Sequence, residues 1–117
     1  MTSLLLDGAD WDLCVDRNGD LALCASPYDV AQDVACALRT FQGECWYDTG
    51  RGLPYFSKLL GRSHNEASFI TLAEEVAETV PEVESARCIA ALNRSDRRLH
   101  GTVELTLRNG ETTRVAF

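Results

Sequence analysis

Lysine is almost missing from this chain: of 11 basic residues only Lys58 is a lysine, and the others are arginines. The planar fork of arginine pairs with carboxylates at two points and is favoured at interfaces, so the choice leans toward protein contacts. No uninterrupted apolar run nears the ~18–20 residues a membrane span needs, and no basic segment precedes Leu4-Leu5-Leu6. The expectation is a soluble chain with no standard export signal and no membrane partner. There is no C-x-x-C pair, and the cysteine count is odd: Cys14, Cys24, Cys36, Cys45 and Cys88. Small core side chains in a reducing compartment fit that pattern better than a disulfide framework. The two histidines, His64 and His100, lie far apart and away from any cysteine pair, so no metal site is expected. No G-x-G-x-x-G or Walker-type loop occurs, and Asp48-Thr49-Gly50-Arg51-Gly52 is too short a glycine pattern to hold phosphate, so no cofactor is expected.

What is present is one domain's worth of ordinary globular sequence. At 117 residues, with 45% hydrophobic and 25% charged residues, residues 1–117 are expected to share a single core. The net charge of −7 repels phosphate backbones and argues against nucleic acid. Its distribution is polar: residues 1–50 hold nine acids against Arg17 and Arg39, whereas residues 86–117 hold three acids against six arginines. Such polarity steers head-to-tail contacts between copies or toward a complementary partner, and a solvated surface explains it as well.

Two short alternating runs, Trp11–Val15 and Leu21–Ala25, flank Asn18-Gly19 and read as an N-terminal β-hairpin over 11–25. Ser26 is an N-cap candidate with Pro27 at the first helical position, and Val30, Val34 and Leu38 recur every four residues; a helix over 27–40 follows, with Gln32 and Asp33 on its wet side. From 41 to 61 the period fails and Phe41, Trp46, Tyr47, Tyr55 and Phe56 crowd among glycines. A connection this aromatic is either docked on the core or a contact surface, and a helical turn Pro54–Leu60 capped by Gly61 is expected to close it. Ser63-His64-Asn65-Glu66 reads as a capping box for a helix over 64–79 with Phe69, Ala73, Val76 and Val80 on one face, ended by Pro81.

After Pro81 the period becomes two. Ala86, Cys88, Ala90 and Leu92, then Leu99, Gly101, Val103, Leu105 and Leu107, mark half-buried strands. A two-residue turn at Asn109-Gly110 would set Val115 and Phe117 on the wrong face. A three-residue loop, Arg108-Asn109-Gly110 with Gly110 left-handed, pairs Leu107 with Glu111 and Val103 with Val115. The expected fold class is α+β: an N-terminal β-hairpin, two main helices and a C-terminal three-stranded antiparallel meander over 86–117.

Nothing in the residues argues for an enzyme, and no catalytic residue is assigned. Glu44 and Asp48 are the candidates for a carboxylate pair, which needs ~5–9.5 Å separation and unlike environments. Cys45 has no nearby histidine to activate it. His64 and His100 read as surface residues.

The order of elements carries a resemblance. A helix ending in Leu38-Arg39-Thr40-Phe41 leads to Gly43-Glu44, an aromatic loop with Gly50 and Gly52, then Gly52-Leu53-Pro54-Tyr55-Phe56, a second helix and a terminal meander. This resembles the baseplate-wedge, or sheath-initiator, family of contractile-tailed bacteriophages, a lysozyme-like baseplate protein family, in its Mu-like branch. Where many members carry Glu-Pro-Arg before the meander, this chain reads Val80-Pro81-Glu82, keeping the proline and lacking the arginine. The resemblance implies a structural protein of the virion tail baseplate, assembled in the host cytoplasm, six copies to a baseplate. It implies contact with the tail sheath protein through Glu111, Thr112, Thr113, Arg114, Val115, Ala116 and Phe117, onto which sheath strands would add. It implies contact with wedge and tail tube or hub proteins through the loop residues Trp46, Tyr47, Arg51, Tyr55 and Phe56. On sequence physics alone, Glu111–Phe117 reads first as an ordinary terminal strand finishing a small α+β sheet, and the resemblance is what reverses that reading. The alternatives are a peptidoglycan-degrading enzyme using Glu44 and Asp48, and a small acidic inhibitor or immunity protein.

Overall fold

The computed structural model describes residues 2–54, 66–93, 95–96 and 98–117. In chain order its elements are β1 (Ser3–Leu4), β2 (Leu23–Cys24), α1 (Tyr28–Arg39), α2 (Glu66–Glu78), β3 (Val83–Asn93), β4 (Arg98–Leu107) and β5 (Thr112–Ala116). The fold is α+β. Tyr55, Phe56, the turn placed at Pro54–Leu60 beyond Pro54 itself, and the Ser63-His64-Asn65 part of the capping box lie outside the described residues.

The N-terminal turn forms where Asn18-Gly19 places it: the Asp16 amide donates to the Asp20 carbonyl at 2.8 Å, and Val15 bridges Leu21. The regular pairing is nevertheless different from a simple 11–25 hairpin, because β2 takes β1 as its partner, Leu4 opposite Leu23 and Ser3 opposite Cys24. The 11–15 arm makes only single bridges, Leu13 to Leu6 and Val15 to Leu21. Trp11 adopts φ +56°, a left-handed conformation that breaks the extended arm at its start and folds residues 7–12 into a turn. Three short arms therefore make a small meander whose first arm also pairs with its third.

Val30, Val34 and Leu38 of α1 are buried on the four-residue spacing read from the sequence. Two details of that helix differ. Pro27 occupies the cap position, where its side chain has no polar atom to offer, and the Ser26 hydroxyl donates instead to Glu111 Oε2 at 3.0 Å. Gln32 is not on a wet side but buried. Its Nε2 donates to the Leu4 carbonyl at 2.7 Å, and its Oε1 accepts from the Leu6 amide at 2.9 Å. At 3.6 residues per turn Gln32 stands about 160° round the helix from Val34. So α1 is enclosed on two sides, by the meander on one and by the main core on the other.

That core is the inner face of the C-terminal sheet, order β3-β4-β5, covered by α1 and α2. Val103, Leu105 and Leu107 of β4 are buried on alternate residues against Phe69, Ala73 and Ala77 of α2, while Arg87, Ile89 and Ala91 of β3 face outward. The β4–β5 connection is the three-residue loop: Leu107 N–H donates to the Glu111 carbonyl at 2.8 Å, Gly110 sits at φ +90°, and Val103 lies opposite Val115. Beyond α2 the corner at Pro81 is held from that loop, since Arg108 Nε donates to the Pro81 carbonyl at 2.7 Å and the Arg108 amide to the Glu82 carbonyl at 3.1 Å. The cysteines divide: Cys24 and Cys88 are core residues as expected, Cys14 and Cys45 are half-buried, and Cys36 is exposed on α1. No helix among the described residues is long and apolar enough to cross a membrane.

Candidate functional site

A three-stranded sheet has two edges, and here they are unlike. Hydrogen-bonded pairs alternate along an antiparallel ladder. Gly101 and Phe117 exchange both bonds, at 3.0 and 3.3 Å, and the Leu107 amide reaches Glu111. The main-chain groups of Glu111, Thr113, Val115 and Phe117 therefore turn toward β4, and those of Thr112, Arg114 and Ala116 turn away from it. No strand pairs with that outer side among the described residues. The same phase makes Cys88, opposite Val103, turn its amide away from β4 on the other edge. That N–H is taken: it donates to Glu74 Oε1 of α2 at 3.0 Å.

Side chains follow the same division on β5. Val115 is buried and Phe117 packs on Phe69 with ring centroids 5.2 Å apart, whereas Thr112, Arg114 and Ala116 face solvent. Arg114 reaches Glu104 across the strands at 3.5 Å, an exposed pair worth little in stability.

The aromatic connection is a loop with a closed neck. Leu53 N–H donates to the Thr40 carbonyl at 3.0 Å, Gln42 N–H donates to the Leu53 carbonyl at 2.8 Å, and Phe41 bridges Leu53 in parallel. Leu53 is fully buried, a contribution of roughly 1.5–3 kcal/mol, and anchors the neck. Gly52 is required there: its φ is +92° and a Cβ would run into the Thr40 carbonyl. Beyond the neck, Trp46 is 87% exposed and Tyr47 66%, edge to face at 5.7 Å. Arg51, Glu44 and Asp48 are exposed in the same loop. The sequence left open whether the loop docks or presents a surface; its base docks and its tip presents.

Burial, with Glu74 beside it, pushes the Cys88 thiol up, and burial with Asp29 does the same to Cys24, so both are held protonated. Glu44 and Asp48 share an exposed environment, and the unlike surroundings that separate an acid from a base are not built. Among the described residues no three His, Cys, Asp or Glu side chains gather as a metal would need.

Residues 2–110 match the family of contractile injection system sheath initiators. The chain belongs to that family. No curated protein matches it. As a sheath initiator it has a structural role in assembling a contractile tail, with the sheath and other components of the system as partners. The family supports neither the peptidoglycan-degrading nor the inhibitor alternative. The match ends at Gly110, the left-handed residue of the β4–β5 loop.

Of the residues singled out from the sequence, the sheath initiator brings Glu111–Phe117 onto one sheet edge and Trp46, Tyr47 and Arg51 onto one loop. Sequence reasoning missed Glu74. It falls on the α2 flank between Phe69 and Ala77, and its only local signal is an acid where the apolar stripe widens.

Proposed function

We propose that this sheath initiator sits in the baseplate of a contractile phage tail of the Mu-like branch and starts sheath polymerisation by accepting a sheath strand on the outer edge of β5. The observation that supports this is the difference between the two edges. An incoming strand meets donors and acceptors at Thr112, Arg114 and Ala116 that pair with no strand among the described residues, but beside β3 it would have to displace the Glu74 carboxylate from Cys88. Strand addition draws affinity from main-chain bonds and so tolerates varied side chains. The exposed loop with Trp46, Tyr47 and Arg51, followed in sequence by Tyr55 and Phe56, is the contact to wedge and to tube or hub proteins, as six copies around the baseplate.

A proline scan tests the edge. Proline at Thr112, Arg114 or Ala116 deletes an outward N–H and leaves the β4 ladder whole, as edge strands permit. Each should keep a native circular dichroism spectrum and lower sheath initiation by about tenfold, the equivalent of one lost hydrogen bond. Alanine at Thr112 or Arg114 should have little effect. Folded proline variants that build full-length sheath at all three positions would sink strand addition.

A further inference from the structure

We propose that copies of this chain join head to tail, the outer face of the N-terminal meander of one seating on the outer face of the β3–β4–β5 sheet of the next. The meander carries five exposed aliphatic side chains, Leu4, Leu13, Val15, Leu21 and Leu23, between 43% and 66% accessible. Leu4 lies opposite Leu23, and Val15 opposite Leu21; Leu13 is two residues from Val15, and Leu21 two from Leu23. Directly opposed residues and residues two apart share a face, so all five form one patch. The other face of the meander, with Cys24, is turned to α1. Scattered surface leucines need no explanation, but a contiguous apolar face marks an interaction site.

Charge identifies the occupant. Around the patch stand the exposed Asp10, Asp12, Asp16 and Asp20, and Arg17 is the only base before Arg39. The cover must be apolar at its centre and basic at its rim. A second meander fails, because it would bring like charges together. The outer face of the C-terminal sheet fits. Ile89, 53% exposed, lies across Thr102 from Ala116 and forms its centre. Arg87 and Arg114 flank it on either side of Glu104, with the exposed Arg98 further along β4. The two faces cannot meet within one molecule. Gln32 holds the meander on the side of α1 away from Val34 and the sheet, so the faces look in opposite directions. Complementary patches on opposite sides make a heterologous contact, which closes into a ring when the rotation between neighbours allows. The contact covers a sheet face and leaves the β5 edge, which lies in the plane of the sheet, available.

Sedimentation velocity on the full chain is the test. Association should rise with concentration and weaken about tenfold between about 0.1 and 1 M salt, where the screening length falls from about 10 to about 3 Å. Leu23→Glu spoils one face and Arg87→Glu the other, at exposed positions, and each alone should lose association about tenfold or more. Mixed one to one, they should form a dimer that grows no further, because each still carries one intact face. If Leu23→Glu unfolds, Val15→Glu on the same patch replaces it. A wild-type chain that stays monomeric at every concentration would overturn the proposal, as would an Arg87→Glu chain that self-associates like wild type or a mixture that yields no dimer.

Discussion

Gln32 ties the two halves of the molecule together through a single side chain. Its amide satisfies the Leu4 carbonyl and the Leu6 amide at once, and it is itself buried. Gln32→Ala leaves both main-chain groups without those partners, and should lower stability by about 1–3 kcal/mol in chemical denaturation while raising exchange at the Leu6 amide. One helical turn of charge lies beside it. Asp33 is held above the ordinary carboxyl value of 3.8, first by burial, then by the charges of Asp29 and Glu82. The fold thus keeps a proton on Asp33 more firmly than the unfolded chain does, so this group costs stability as pH rises above about 4. Asp33→Asn should raise the melting temperature near pH 7, with the gain vanishing below that window; a gain independent of pH would contradict the burial of charge. Neither residue's role was legible in the sequence. A helical period identifies one core face, and at Gln32 a second buried side lies opposite the first.

At the level of elements, legibility followed the strength of local signals. The Arg108-Asn109-Gly110 loop was readable because only one register joins the apolar faces of Val103 and Val115, and a one-residue slip would invert them. The N-terminal pairing was less so: with strands of two residues, β1 competes for β2, and nothing local announces the left-handed Trp11 that bends the rival arm. The loop closed by Leu53 separates anchoring from display. Trp46→Ala should leave the folding free energy within about 0.5 kcal/mol of wild type, as for an exposed side chain, yet reduce incorporation into tails, as for an aromatic anchor. A loss of both stability and incorporation would place Trp46 in the core instead.

Over the whole molecule, β5 has on the proposed reading two duties that a truncation cannot separate. Its outer side is main chain with no strand partner among the described residues, but Val115 is core and Phe117 packs on Phe69. Deleting Thr113–Phe117 should therefore lower the melting temperature sharply, by the loss of roughly 2–5 kcal/mol of packing, as well as abolish sheath initiation. The Arg114→Pro chain should keep its melting temperature and lower sheath initiation by about tenfold. The candidate edge was legible as a position in the sequence, since an alternating segment follows the last turn. The difference between the two edges was not, because it depends on the Glu74 carboxylate that α2 brings to β3.

The carboxylate that occupies the Cys88 amide gives the sheet a direction. On the proposed strand addition, lateral extension has one growing end, at β5, and joining two of these sheets through their β3 sides would have to displace that carboxylate. Whatever is built outward from β5 must renew its own edge at each addition. On that reading its final length belongs to the material added, and this chain would fix where the ribbon begins and which way it runs.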